Sequence, residues 1–259
     1  MLHPHLEVVA SHTWQTLRDA TEFHISQGEE TLTDNLLLYL LRQRLPRLHL
    51  IKTPKNKEAL MGTDWEWWVG SRMRGFIRYV IQAKKLDSDS HRYQKLRHEV
   101  PTPRGMELQH SILKRYAAAN SAVPLYAFYN YLDLPDFKPY WNCPHPLQVE
   151  QIGVTVTPLE NVEHAIATRG QRSFETLHSR SDTIPLRCLA VCPRLRPSAS
   201  LQGSHRIFKF QSEVTLYSSD DIGLLLNSDQ QEISEFPAAL YKSEIGIYPR
   251  RIAVVETEA

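Results

Sequence analysis

Three cysteines in 259 residues, Cys143, Cys188 and Cys192, are too few and odd in number for a disulfide framework. A reducing cytoplasm is the compartment this predicts. Long hydrophobic runs are missing too. The longest, from Leu36 to Leu41, falls far short of the ~20 residues of a membrane span, so no membrane partner is expected. The opening Met-Leu-His-Pro-His-Leu-Glu has no basic region followed by an apolar stretch, and no secretory signal is expected. Internal repeats and low-complexity tracts are lacking, and the twelve histidines show no ligand spacing. Net charge is almost absent, at +1, so charge as a whole names no partner. What is left is 42% hydrophobic and 23% charged, the profile of an ordinary soluble globular chain long enough to bury a substantial core.

Charge is uneven along the chain. Arg72 to Arg104 holds nine Lys or Arg against three Asp or Glu, whereas Ala199 to Ala259 holds five against nine. A local positive stretch is what a polyanionic substrate needs, and it offers Arg72, Arg74, Arg78 and Lys85 as candidate contacts.

Helices are predicted over Ser11–Gln27, Thr33–Leu45 and Met106–Asn120, from apolar stripes and capping residues. The Thr157-Pro158-Leu159-Glu160 capping box predicts another, reaching about Arg169. Strands are predicted over Leu48–Ile51, Pro124–Asn130, Ile152–Val156, Leu186–Cys192 and Ile252–Val255. Residues 87–100 read as polar and partly helical, with Tyr93 and Leu96 inward, and Pro101 to Gly105 reads as a break. On this reading Cys188 and Cys192 lie ~13 Å apart along one strand and cannot share a zinc ion with Cys143 and His145. Residues 1–175 form the expected core domain, and 176–259 an extension packed on it.

The richest segment is Gly62-Thr63-Asp64-Trp65-Glu66-Trp67-Trp68 with Phe76-Ile77-Arg78-Tyr79-Val80-Ile81-Gln82-Ala83-Lys84. Both are rich in aromatic and β-branched residues, and Gly70 and Gly75 bracket a turn. Folding about Met73 sets Asp64 opposite Gln82 and Glu66 opposite Val80. Alternation then gathers Asp64, Glu66, Trp68, Arg78, Val80, Gln82 and Lys84 on one face, with Trp65, Trp67, Ile77, Tyr79, Ile81 and Ala83 on the core face. Carboxylates, an amide oxygen and an ammonium on one polar face suit a hard divalent cation beside a phosphate. Asp64 supplies the central carboxylate, Gln82 its side-chain carbonyl, Ala83 its backbone carbonyl, and Lys84 a cation for transition-state charge. Glu66 is a further carboxylate on that face. Glu30, rather than its neighbour Glu29, is expected to point toward the site from the start of the second helix.

This order of Glu29-Glu30, Asp64 in a first strand and Gln82-Ala83-Lys84 in its partner, then a helix and a strand, resembles the PD-(D/E)xK, or restriction-endonuclease-like, nuclease superfamily. The run Asp-Trp-Glu-Trp-Trp with Gln-Ala-Lys-Lys-Leu is similar to a bacterial family of that type. The resemblance covers roughly residues 11–130. It implies an α/β fold with an αβββαβ core: a central mixed sheet flanked by helices, here with a C-terminal α/β extension. It also implies a Mg²⁺- or Mn²⁺-dependent phosphodiesterase, with DNA favoured over RNA and a role in defence against foreign DNA or in DNA processing. It leaves room for a homodimer. By the same resemblance Gln109, on the helix after the motif, helps place substrate. Gln82 stands where the superfamily more often has Glu, which removes a charge from the metal site. The alternative reading is a nucleic-acid-binding or scaffold protein that keeps the fold without cleaving.

Overall fold

The computed structural model describes residues 2–52, 63–133, 148–191, 214–227, 249 and 251–257. Helix α1 spans His3–Glu22, with Pro4 in its first turn, where a missing N–H costs nothing. It buries Leu6, Val9, Ala10, Thr13, Trp14 and Leu17 at helical spacing. The helix starts eight residues before Ser11, the predicted cap, which lies mid-helix. It stops short of Gln27, at a left-handed His24 (φ 55°). Helix α2 spans Glu29–Arg42, with an extended Gly28 as its N-cap. Thr33, the other predicted cap, is inside it, bonding to the Glu29 carbonyl (2.9 Å).

Strand β1 (Leu48–Lys52) precedes the hairpin of β2 (Trp65–Ser71) and β3 (Gly75–Lys85). Two glycines make that turn possible. Gly75 has φ 84°, and a Cβ on Gly70 would lie 2.1 Å from the Gly75 carbonyl oxygen. The break expected at Pro101–Gly105 is a second turn, joining β4 (Glu99–Thr102) to β5 (Gly105–Leu108). Helix α3 (Gln109–Ala119) therefore begins later than Met106, and β6 is Val123–Tyr129. Tyr93 and Leu96 are fully buried as predicted, beside a short 3₁₀ turn at Gln94–Arg97. Next come β7 (Val154–Pro158), α4 (Leu159–Ala167), α5 (Phe174–His178), the short β8 (Ile184–Pro185), α6 (Leu186–Val191), α7 (Gly223–Leu226) and β9 (Arg251–Glu256).

Two predictions fail locally. Thr157 makes no capping bond; its hydroxyl meets Thr183 (2.8 Å) and accepts from Asn161 (2.9 Å). Leu186–Val191 is helix, not strand. A strand spacing therefore cannot exclude a shared ion at Cys188 and Cys192. Cys188 is buried, and Cys143, His145 and Cys192 fall outside the described residues.

The architecture is mixed α/β, with helices flanking a central seven-stranded sheet of order β1-β9-β2-β3-β6-β7-β8. β9 runs antiparallel to β1 and parallel to β2, and β2 and β3 are antiparallel. The far end of the chain thus enters the sheet between its first two strands. The chain divides into two compact units, each discontinuous in sequence. One comprises residues 1–43, 83–97 and 126–192, the other 44–82, 98–125 and 193–259. In the second, α7 packs Ile222, Leu225 and Leu226 on Ile51, Trp68, Phe76, Ile252 and Val254. Losing one of these leucines to alanine costs about 2–5 kcal/mol. In the first, Phe174 and His178 of α5 stack (3.8 Å), and His178 Nε2 meets Thr155 (2.9 Å). Burial in that apolar setting holds the imidazole neutral, with its pKa pushed down to about 3.

Candidate functional site

The hairpin register is the predicted one. Trp65 pairs with Ile81, Glu66 with Val80 and Trp67 with Tyr79. Asp64 lies one step before β2 and donates its backbone N–H to the Ile81 carbonyl (2.9 Å), which carries the register on to Gln82. Thr63 Oγ1 reinforces this entry through the carbonyls of Trp65 (2.9 Å) and Ile81 (3.1 Å). Arg251 Nη1 donates to the Asp64 carbonyl (3.3 Å). Held this way, the half-buried Asp64 carboxylate accepts a hydrogen bond from Gln82 Nε2, and Gln82 itself is buried.

This contact tests whether an oxygen-seeking cation suits the residues. Two ligands of one ion must have their heads together, and these two already do. A half-turn of the amide exchanges its NH₂ for its carbonyl oxygen, giving a carboxylate and an amide oxygen side by side, hard donors of the Mg²⁺ kind. The donor chemistry fits. Among the described residues no group of three or more His, Cys, Asp or Glu gathers as a metal cluster, so the set relies on amide and main-chain oxygens beside its carboxylate.

Two residues on, and on the same face of β3, Lys84 is buried. A buried ammonium needs a partner, and Glu29 supplies it: Oε2 lies 3.7 Å from Lys84 Nζ, and Oε1 accepts the Lys85 N–H (3.2 Å). Glu29 is the first residue of α2, where the helix dipole favours a carboxylate. Thr33, one turn on, bonds to Tyr129 of β6 (2.7 Å) and fixes the helix end. The expectation favoured Glu30, but Glu29 is the carboxylate on Lys84, while Glu30 is exposed in the same turn. Adjacent helical residues point about 100° apart.

Other candidates are redirected. Glu66, expected as a metal ligand, and Arg78, expected to touch substrate, are both fully buried and bonded to each other (2.9 Å). Trp68 Nε1 also donates to Glu66 (2.7 Å), Arg78 reaches Tyr116 (3.1 Å) and Asn120 (3.5 Å), and its guanidinium lies 5.0 Å from the Trp68 ring centroid. The face predicted to be polar is covered by core, so opposite charges cancel there instead of meeting solvent. Arg72 and Arg74 are in the hairpin turn, about 23 Å along β3 from Gln82 at ~3.3 Å per residue. Arg72 is engaged by Glu256 (2.7 Å). These two do not surround Gln82 and Lys84 as the charge count suggested. Lys85 is half-buried at the end of β3. Gln109 opens α3, its N–H bonded to the His98 carbonyl (2.9 Å).

Sequence reasoning missed the service of Tyr116 and Asn120 to Arg78. An arginine inside a run of apolar β-branched residues was the signal, since such a charge must find a buried partner.

Residues 2–247 match the family described as "Family of unknown function (DUF6615)". The chain belongs to that family. No curated protein matches this DUF6615 chain.

Proposed function

We propose that this DUF6615 protein is a divalent-metal-dependent phosphodiesterase acting on nucleic acid, with DNA favoured. The observation that carries the reading is the Asp64–Gln82 contact, followed on the same strand face by a buried Lys84. The order α2, β1, β2, β3, α3, β6 also follows the αβββαβ sequence of a restriction-endonuclease-like core, with the β4–β5 hairpin inserted. That likeness supports a role in defence against foreign DNA or in DNA processing.

Asp64, the Gln82 carbonyl and the Ala83 main-chain carbonyl would hold the ion. Mg²⁺ or Mn²⁺, once bound, supplies Lewis-acid polarisation of a phosphoryl oxygen and a hydroxide nucleophile. Asp64 contributes the charge of the set. Gln82 contributes an oxygen without charge, which weakens cation binding and leaves less repulsion for a phosphate. Lys84 offsets negative charge that grows at the phosphoryl group. Glu29 positions Lys84 through the 3.7 Å ion pair.

One observation favours the second reading, a binder that does not cleave. With the amide nitrogen of Gln82 donating to Asp64, the carboxylate is met by a neutral donor. Calorimetric titration with Mn²⁺ beside a plasmid-nicking assay separates the two. Heat of binding and nicking support the phosphodiesterase. Nucleic-acid binding with neither heat nor nicking supports the binder.

A further inference from the structure

We infer that the β4–β5 hairpin is a ribbon that enters a groove of duplex nucleic acid, with Arg104 at its tip. The inference rests on the nucleic-acid reading above. Among the described residues the hairpin is a separate two-stranded sheet that does not join the seven-stranded one. Its strands are exposed or half-exposed throughout, whereas β2 and all but the last residue of β3 are buried. Two isolated strands are marginal in water, so a ribbon held away from the main sheet needs both an anchor and a use.

The anchor is plain. At its base the Gln109 N–H bonds to the His98 carbonyl, and Glu107 takes a two-point bond from Arg115 of α3 (2.8 and 3.0 Å). At its tip Thr102 Oγ1 accepts the Arg104 N–H (3.1 Å) and bonds to Glu107 (2.7 Å), which sets the turn in advance. Gly105, with φ 107°, has open space where a Cβ would be.

The chemistry of the free end suits a groove. Arg104 is exposed and suits a phosphate or a base edge. Behind it Pro101 and Met106 are cross-strand partners, both exposed, Met106 by 62%. Their apolar atoms suit contact with the thymine methyl in the major groove. The acidic Glu107 is neutralised by Arg115, which leaves Arg97, Arg104 and Lys114 against Glu99 over residues 97–115. Two strands ~4.8 Å apart fit a major groove ~12 Å wide. Reach is also suitable. Seven residues of α3 separate Gln109 from Tyr116, about 10 Å, and Tyr116 touches Glu66, two residues from Asp64. The path from ribbon base to Asp64 cannot exceed about 33 Å, and the five residues from Gln109 to Arg104 add at most about 17 Å, so the tip lies within about one and a half duplex turns of ~34 Å each.

The test is fluorescence anisotropy with a labelled 20-base-pair duplex and the matching single strand, in EDTA so that nothing is cut. Wild type, Arg104→Glu, Met106→Glu and Arg18→Glu (the same charge reversal on the exposed face of α1) are compared across a salt series, each checked by thermal melting. Arg104→Glu and Met106→Glu should each weaken duplex binding about 10-fold. Arg104→Glu should also lower the salt slope by about one. Arg18→Glu should bind nearly as wild type. Equal binding by wild type and both ribbon variants overturns the inference and leaves the phosphodiesterase reading standing. So does binding confined to single strands, or an equal loss in Arg18→Glu. A wild type that binds neither duplex nor single strand overturns both.

Discussion

Glu66 decides how much of the polar hairpin face belongs to chemistry and how much to the fold. Its carboxylate accepts from Arg78 Nη2 (2.9 Å), Trp68 Nε1 (2.7 Å) and the Tyr116 hydroxyl (3.4 Å), with both charges out of solvent. Glu66→Ala strands the guanidinium, a loss of about 3–5 kcal/mol for breaking one partner of a buried pair. It also leaves the Trp68 N–H without its acceptor, about 1–3 kcal/mol more. The terms overlap, so about 4–6 kcal/mol is expected, a large share of the ~5–15 kcal/mol that holds an ordinary domain together. Glu66→Leu with Arg78→Leu removes both charges and keeps apolar volume, and should lose less than half as much. Urea unfolding of wild type, the two single variants and the double variant reads the coupling directly. Glu66→Gln, which keeps volume and one acceptor, provides a milder single variant. A single variant within 1 kcal/mol of wild type, or a double loss equal to the sum of the singles, would refute the brace. A Glu66→Gln protein of unchanged stability but weakened Mn²⁺ binding would return Glu66 to the metal site.

Gln82→Glu should tighten Mg²⁺ binding by calorimetry without a matching gain in turnover, because the added charge also repels the scissile phosphate. Lys84→Ala should still bind metal while turnover falls on the order of 10²-fold or more. Glu29→Gln should lower turnover less, since it disturbs Lys84 without removing it. His178 sets an acid limit on the fold. Its native pKa of about 3 lies below the unfolded value, so the unfolded chain binds the extra proton between about pH 6.5 and 3. Its contribution is full above pH 6.5 and is lost as pH falls, at about 1.4 kcal/mol per unit. In urea titrations at pH 7, 5.5 and 4.5, His178→Gln should flatten that dependence, and an unchanged slope would remove His178 as its cause.

The hairpin was legible because three local signals agreed: two glycines around a turn, aromatic and β-branched strands, and strict alternation. Together they placed Asp64 against Gln82. Alternation could not reveal that the polar face would itself be covered, since Glu66 and Arg78 look the same whether they meet water or each other. Glu29 and Glu30 differ by a single helical step, and only the true start of α2 at Gly28 decides which meets Lys84. Leu186–Val191 is a short apolar run without a visible period, and such runs fit a strand or a buried helix equally well. The position of β9 between β1 and β2 rests on pairing across about 200 residues, which no local pattern carries.

The most direct test of the phosphodiesterase is nicking of supercoiled plasmid by wild type and Asp64→Ala in Mg²⁺ and in Mn²⁺, with matched melting curves to show that both are folded. Asp64 is at the hairpin's open end and contributes no core atom, so the substitution should abolish nicking while lowering melting only modestly, by the loss of the acceptor for the buried Gln82 amide. Undiminished nicking by a folded Asp64→Ala protein, or a wild type that nicks neither plasmid nor single strands with either ion, would contradict the account.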